Sequence, residues 1–160
     1  MMVIQKATAA QADEILRLYH SFDGGPAGWD EEYPNREFVC ADLSRGDLFV
    51  GLDERGAVAA AVSIDHEEEV DELSCWPQGP LPFGFLSRLC VRADLQGHGF
   101  AGQMLNYAFG ELQSRGMKSV RMLVHQANTG ALAMYLHMGF TVAGECELFD
   151  KYFTCIQRDL

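Results

Sequence analysis

A glycine-rich stretch, Gln96-Gly97-His98-Gly99-Phe100-Ala101-Gly102, follows the apolar run Phe83 to Val91 and opens a helical stripe of Ala101, Met104, Leu105, Ala108 and Leu112. The first N–H groups of a helix have no internal partner, and the helix dipole is positive at that end. A strand that passes through glycines into a helix is therefore a ready anion site, suited to a phosphate. Gly97 and Gly99 carry no side chain to hold such a ligand off the backbone, and Ala101 lets the helix sit close to the sheet. Two titratable side chains lie downstream. His125 is of a type that ionises near neutral pH, and the Tyr135 phenol keeps its proton there. Tyr135 stands 7 residues beyond Asn128, about two helical turns, so both can face one groove. The same tyrosine also belongs to an apolar stripe with Leu132 and Met138 and can be read as a packing residue.

Two ligand classes use a glycine turn of this kind. Gly97-x-Gly99-x-x-Gly102 has the form of the dinucleotide fingerprint, but that motif needs a carboxylate about 20 residues on for the ribose. That region here reads Leu123-Val124-His125-Gln126, and Arg92 to Gln96 separate the strand from the glycines. The other reading fits better. Gln96-x-x-Gly99-x-Ala101 resembles the Q/R-x-x-G-x-G/A signature of the GNAT superfamily of N-acetyltransferases, and Leu89-Cys90-Val91 resembles that family's fourth strand. Asn128-x-x-Ala131-x-x-x-Tyr135-x-x-x-Gly139-Phe140 is similar to its second motif. The order of elements agrees along nearly the whole chain.

The resemblance implies a mixed α/β (α+β) domain with a mostly antiparallel sheet of six to seven strands. Its fourth and fifth strands are splayed, and about four helices cover both faces. It implies acetyl-CoA as acyl donor, with the backbone of Gln96, Gly97, His98, Gly99, Phe100, Ala101 and Gly102 on the pyrophosphate. Leu89, Cys90 and Val91 would meet the pantetheine arm as an added strand does, and Asn128 would contact the cofactor or order its loop. The Val91 N–H would stabilise the oxyanion, and Tyr135 would protonate the leaving thiolate. Some relatives place a glutamate on the fourth strand; Phe85, Ser87 and Arg88 stand there instead, so the base is unassigned. His125 is one candidate, and Glu68, Glu72, Glu31 and Glu32 are others; deprotonation before binding needs none. Acetyl transfer to a small cationic amine or amino acid is the leading reading. A protein or peptide acceptor and an acyl-CoA-sensing module without turnover are the alternatives.

These groups need a frame, and the sequence supplies one. Val3–Lys6 reads as a strand. Thr8 to Gln11 fits a capping box before a helix that ends near Phe22. Gly24–Pro34 is a loop carrying Trp29 and Tyr33, either pinned by its aromatics or walling the substrate site. Asn35 caps a helix over Arg36–Arg45, closed by Gly46. Leu48–Leu52 and Ala57–Ile64 form a hairpin across Asp53–Gly56. Asp65–Glu72 is an acidic loop, solvated or a lure for an amine in which Glu68 and Glu72 are candidate contacts; Ser74–Pro82 continues it. After the glycine turn and its helix, stopped by Gly116, come a strand over Ser119–Val124, a helix around Ala131–Met138, and strands over Phe140–Cys146 and Tyr152–Gln157. No repeat or linker is visible, so residues 1–160 read as one domain.

Composition narrows the partners. A net charge of −11 disfavours nucleic acid, which needs a basic footprint, and leans toward cations. No run of about 18 apolar residues suits a membrane span, and the start of the chain reads as a strand, not a signal peptide. Cys40, Cys75, Cys90, Cys146 and Cys155 are odd in number and contain no CxxC. Reduced thiols, no metal site and a cytoplasmic setting are expected, with Cys90 as a small core residue. A monomer or a homodimer paired through edge strands is expected.

Overall fold

A computed structural model describes residues 2–160. The helices are α1 (Ala12–His20), α2 (Arg36–Arg45), α3 (Glu68–Asp71), α4 (Phe100–Ser114) and α5 (Thr129–His137). The strands are β1 (Val3–Lys6), β2 (Leu48–Leu52), β3 (Val58–Asp65), β4 (Phe83–Val91), β5 (Ser119–His125), β6 (Thr141–Leu148) and β7 (Lys151–Asp159). They form one seven-stranded sheet in the order β1-β2-β3-β4-β5-β7-β6. Every neighbouring pair is antiparallel except β4 and β5, which run parallel.

Strand alternation builds two cores. On β2, Leu48 and Val50 pack with Ile15, Leu18, Tyr19 and Val39 of α1 and α2, while Phe49 between them packs with Met104, Leu105 and Leu112 of α4. Successive side chains of a strand point to opposite faces, so each strand feeds both layers. α2 starts where Asn35 Oδ1 accepts from the N–H groups of Glu37 and Phe38 (3.0 and 3.3 Å), and it stops at Gly46, φ +71°. Thr8 and Gln11 form the expected capping box, in which Gln11 Oε1 accepts from the Thr8 N–H at 2.9 Å; the Gln11 N–H also reaches the Thr8 carbonyl.

β4 and β5 pair only over Phe83–Phe85 and Ser119–Arg121. β4 then runs on to Val91 and β5 to His125 without pairing to each other, which opens a gap between them. This is the splay that the glycine-turn resemblance implies.

Three expectations are corrected. The acidic stretch is not simply a solvated loop: Asp65 ends β3, and Glu68–Asp71 is a fifth helix. Val70 is the reason, since it is buried against Trp76 and Phe85, and the Trp76 Nε1–H donates to its carbonyl at 2.7 Å. α1 stops at His20 instead of near Phe22, the chain turning over Ser21–Gly24. The last two strands extend beyond Phe140–Cys146 and Tyr152–Gln157 because Phe149 and Asp150 (φ 56° and 59°) make a two-residue turn whose twist suits a hairpin.

Candidate active site

The β4–β5 gap divides a groove from a cavity. The groove, about 920 Å³, is walled by Leu89, Cys90 and Val91, by Gln96, Gly97 and Gly99, and by Phe100, Ala101 and Gly102 at the head of α4. Gly97 and Gly99 have φ of +80° and +81°, and an added Cβ at either would point into open space. Such backbone favours glycine, and it turns the chain so that the free N–H groups of the first turn of α4 face the groove. The donor set fits a diphosphate. The Gln96 side chain does a different job: its Nε2 donates to the Val91 carbonyl at 2.9 Å and ties the turn to β4. His98 is exposed, so from this turn the main chain is what faces the groove.

The direction of Val91 follows from its neighbours. The Arg92 N–H donates to the Ala59 carbonyl of β3 at 2.7 Å. Main-chain groups alternate sides along a strand, so Val91 turns its N–H and C=O away from β3, into the gap. The Gln96 contact to that carbonyl agrees. Cys90 points to the other core and is buried, and burial pushes its thiol pKa up.

The cavity, about 470 Å³, lies on the other side of the gap. Ala27, Trp29, Leu89, Asn128 and Tyr135 border both spaces, so this is where a donor and an acceptor would meet. Tyr135 is 7% exposed and packs edge-on against Phe140 at 5.8 Å. Burial, with Cys90 adding to it, pushes its phenol pKa above the ordinary tyrosine value. The residue thus packs in the core and also lines the junction of groove and cavity. Asn128 begins α5, donating its N–H to the His125 carbonyl at 2.8 Å.

The loop before α2 forms one wall. Trp29 stands edge-on to Tyr19 (5.4 Å) and Phe22 (5.9 Å). The Asp30 carboxylate accepts from the N–H groups of Glu32 and Tyr33 (2.9 and 3.1 Å), which lowers its pKa. Lys151 Nζ donates to the Gly28 carbonyl at 2.6 Å, fastening the loop to β7. Gly28 lies against the His125 ring; a Cβ there would fall 2.8 Å from Cδ2. His125 Nδ1 accepts from the Ala127 N–H at 3.2 Å, so a neutral ring carries its hydrogen on Nε2.

The cavity floor is acidic. Asp65, Glu67, Asp30 and Glu32 line it, with Arg88 and Lys151 as its cations. Burial alone would raise the Asp65 pKa, but Arg88 and the Ser87 hydroxyl outweigh it and hold the carboxyl low. Burial and the nearby Asp65 push Glu67 up. Of the acids named from sequence, Glu68, Glu72 and Glu31 are exposed and outside the cavity lining, whereas Glu32 is on its wall. Trp29, Leu89, Asn128 and Tyr135 border both spaces, Tyr33 and His125 line the cavity alone, and Val91 lines the groove alone. Asp65, Glu67 and Lys151 carry no site reading in the sequence, and Arg88 enters only as a residue standing where some relatives have a glutamate. Its charge within the apolar run of β4 is the available signal, since a charge on a central strand must find partners.

No helix among the described residues is long and apolar enough to cross a membrane. No curated protein matches the chain significantly. Among solved structures, a GNAT-family acetyltransferase from Streptococcus agalactiae superposes with a TM-score of 0.82 at 21% identity, covering 99% of this chain and 95% of its own. A GNAT-superfamily phosphinothricin acetyltransferase from Sinorhizobium meliloti, in complex with acetyl-CoA, gives 0.78 at 19% identity, covering 99% and 88%. The ribosomal-protein-S18-alanine N-acetyltransferase of Escherichia coli gives 0.74 at 15%, covering 99% and 94%. These likenesses concern the fold. The model of the acetyltransferase (GNAT) family matches residues 11–140, and on that match the chain belongs to the GNAT family of acetyltransferases.

Proposed function

We propose that this chain is an acetyl-CoA-dependent N-acetyltransferase whose acceptor is a small cationic amine, transferring directly from donor to acceptor. The observation that carries the reading is the shared border of groove and cavity at Leu89, Asn128 and Tyr135. When bound, acetyl-CoA supplies an electrophilic thioester carbonyl. The start of α4 holds the pyrophosphate by its free N–H groups, and the gap-facing main chain of Leu89 to Val91 receives the pantetheine amides. The Val91 N–H meets negative charge developing on the carbonyl oxygen. Tyr135 Oη donates its proton to the sulfur as the C–S bond breaks, and the proton shed by the attacking nitrogen restores the phenol, so the products are the amide and free coenzyme A. Burial raises the phenol pKa, so the group is protonated at neutral pH.

The cavity favours cations. All five N–H donors of Arg88 are spent on Asp42, Asp65 and Tyr33, and Lys151 gives one of its three donors to the Gly28 carbonyl. Four carboxylates, Asp30, Glu32, Asp65 and Glu67, outnumber these two cations in the lining, so the balance favours an ammonium over an acidic acceptor. His125 is a poor base because its Nδ1 lone pair is engaged. The attacking amine is therefore the neutral one of the acceptor, a second, charged group being what the acids hold, and turnover rises with pH through the attacking amine's own pKa. A protein amino terminus is the competing acceptor, since the S18-alanine N-acetyltransferase shares the fold.

Thiol release from acetyl-CoA across monoamines, diamines, amino acids and amino-terminal peptides tests this. Tyr135→Phe should lower kcat by about 100-fold, the usual worth of a general acid, and leave acetyl-CoA affinity in place. Equal turnover by the variant would remove Tyr135 from the chemistry, and peptides outrunning every small amine would transfer the role to a protein acceptor.

A further inference from the structure

Behind the acceptor cavity lies a buried guanidinium that takes no part in the steps above. From Ser87 to Cys90 β4 takes three steps, while its partner β3 takes two, from Ser63 to Ala61. The extra residue makes a bulge. Within it Arg88 has φ +53°, a left-handed backbone that a long side chain adopts only when its surroundings impose it.

The side chain supplies the constraint. It is 1% exposed and lies 5.2 Å over the Phe38 ring. Nε and Nη2 donate to both Asp42 oxygens (2.9 to 3.1 Å). Nη1 donates to Asp65 Oδ2 at 3.0 Å and to Tyr33 Oη at 3.1 Å. A planar fork of five fixed donors suits this arrangement, and a lysine could not replace it. Asp42 belongs to α2, Asp65 to β3 and Tyr33 to the acceptor loop, so one side chain ties three elements to the residue before Leu89.

The consequence lies in parity. Main-chain groups alternate sides along a strand, and one inserted residue reverses the side of everything after it. With the bulge, the Arg92 N–H faces β3 and Val91 faces the gap. Without it, Val91 would turn toward β3 and the gap would lose that donor.

We propose that Arg88 is a positioning residue: clamped by Asp42 and Asp65, it sets the bulge that aims Val91 at the thioester, and through Tyr33 it couples that aim to the acceptor loop. This rests on the reading of Val91 given above.

Three measurements test it. Arg88→Lys should lower kcat by about 100-fold, the cost of a misplacement near 1 Å, and raise acetyl-CoA Kd far less, because the pyrophosphate contacts at the head of α4 are kept while only the pantetheine contact of Val91 is disturbed. Tyr33→Phe should raise the acceptor KM several-fold. In the Arg88→Lys background it should add little, because the hydroxyl's partner is already gone; such non-additivity is the mark of a shared interaction. Hydrogen exchange of the segment 86–92 should quicken in both variants. Parent-like kcat in folded Arg88→Lys, or independent effects that multiply, would overturn the proposal. Should Arg88→Lys not fold, Tyr33→Phe decides: unchanged exchange in that segment overturns it. Exchange is read without turnover. A parent that acetylates no amine would sink the reading of the site, and the exchange result would still decide the role of Arg88.

Discussion

Gly99 shows how one residue can carry both a fold and an affinity. Its φ of +81° ends the turn, and its missing side chain leaves the helix start bare. In Gly99→Ala the left-handed backbone costs about 1 kcal/mol, and the methyl group stands where a phosphate would approach. Acetyl-CoA Kd should rise about tenfold, since 1.4 kcal/mol is a factor of ten. Tm should fall by only about 2–4 °C, the shift 1 kcal/mol gives in a chain of this size. Calorimetry with coenzyme A and a thermal melt check both; unchanged affinity would move the pyrophosphate elsewhere. This glycine and Gly97 are legible in the sequence because local spacing marks a strand–turn–helix, whereas Tyr135 stands out from an apolar stripe only through the resemblance to the GNAT motif. Arg88 is not legible, because its meaning depends on Asp42, 46 positions away. Lys151 was invisible for the same reason, its partner Gly28 lying 123 positions back.

At the scale of elements, the acceptor loop is the part whose role depends most on tertiary contact. Its aromatics hinted at a packed segment, and Trp29 is buried against Tyr19 and Phe22. Its position over the cavity comes from Lys151, Tyr33 and the His125 ring under Gly28, none of which has a local signature. Helices with caps and stops were read well because capping is local: Asn35, Gly46 and Gly116 stand where expected. The short helix Glu68–Asp71 is not legible in the sequence, because its one buried residue, Val70, gives no periodicity. Gly28→Ala isolates the loop's contribution. Its φ is +77°, and the new Cβ would meet His125 Cδ2 at 2.8 Å, so the loop must lift. Acceptor KM should rise, and acetyl-CoA affinity should hold because the head of α4 is untouched. A rise in acetyl-CoA Kd of the same size would mean that the loop also shapes the groove.

Across the whole molecule, several protons are held by burial. Tyr19, Tyr33, Tyr135 and Cys90 all have raised pKa values, with desolvation the first cause in each. Their ordinary values are 10.0 for the phenols and 9.0 for the thiol. Above those values the unfolded chain releases protons that the folded chain keeps, so folding stability falls as pH rises. The contribution is complete below pH 9 and is lost progressively upward, each group adding about 1.4 kcal/mol per pH unit. Tm should therefore drop steeply above about pH 10. Tyr19 offers the cleanest test. It is fully buried, and among the described residues its hydroxyl is the one buried side-chain polar atom without a hydrogen-bond partner; the Ser63 hydroxyl beside it donates to Asp42 at 2.7 Å and makes no contact of hydrogen-bond geometry with it. Removing an unpaired buried hydroxyl is close to neutral or stabilising. Tyr19→Phe should hold or raise Tm at pH 7 and make the alkaline decline shallower by one group. A variant that melts earlier at pH 7, with an unchanged alkaline slope, would mean that the hydroxyl has a partner after all and that burial does not hold its proton.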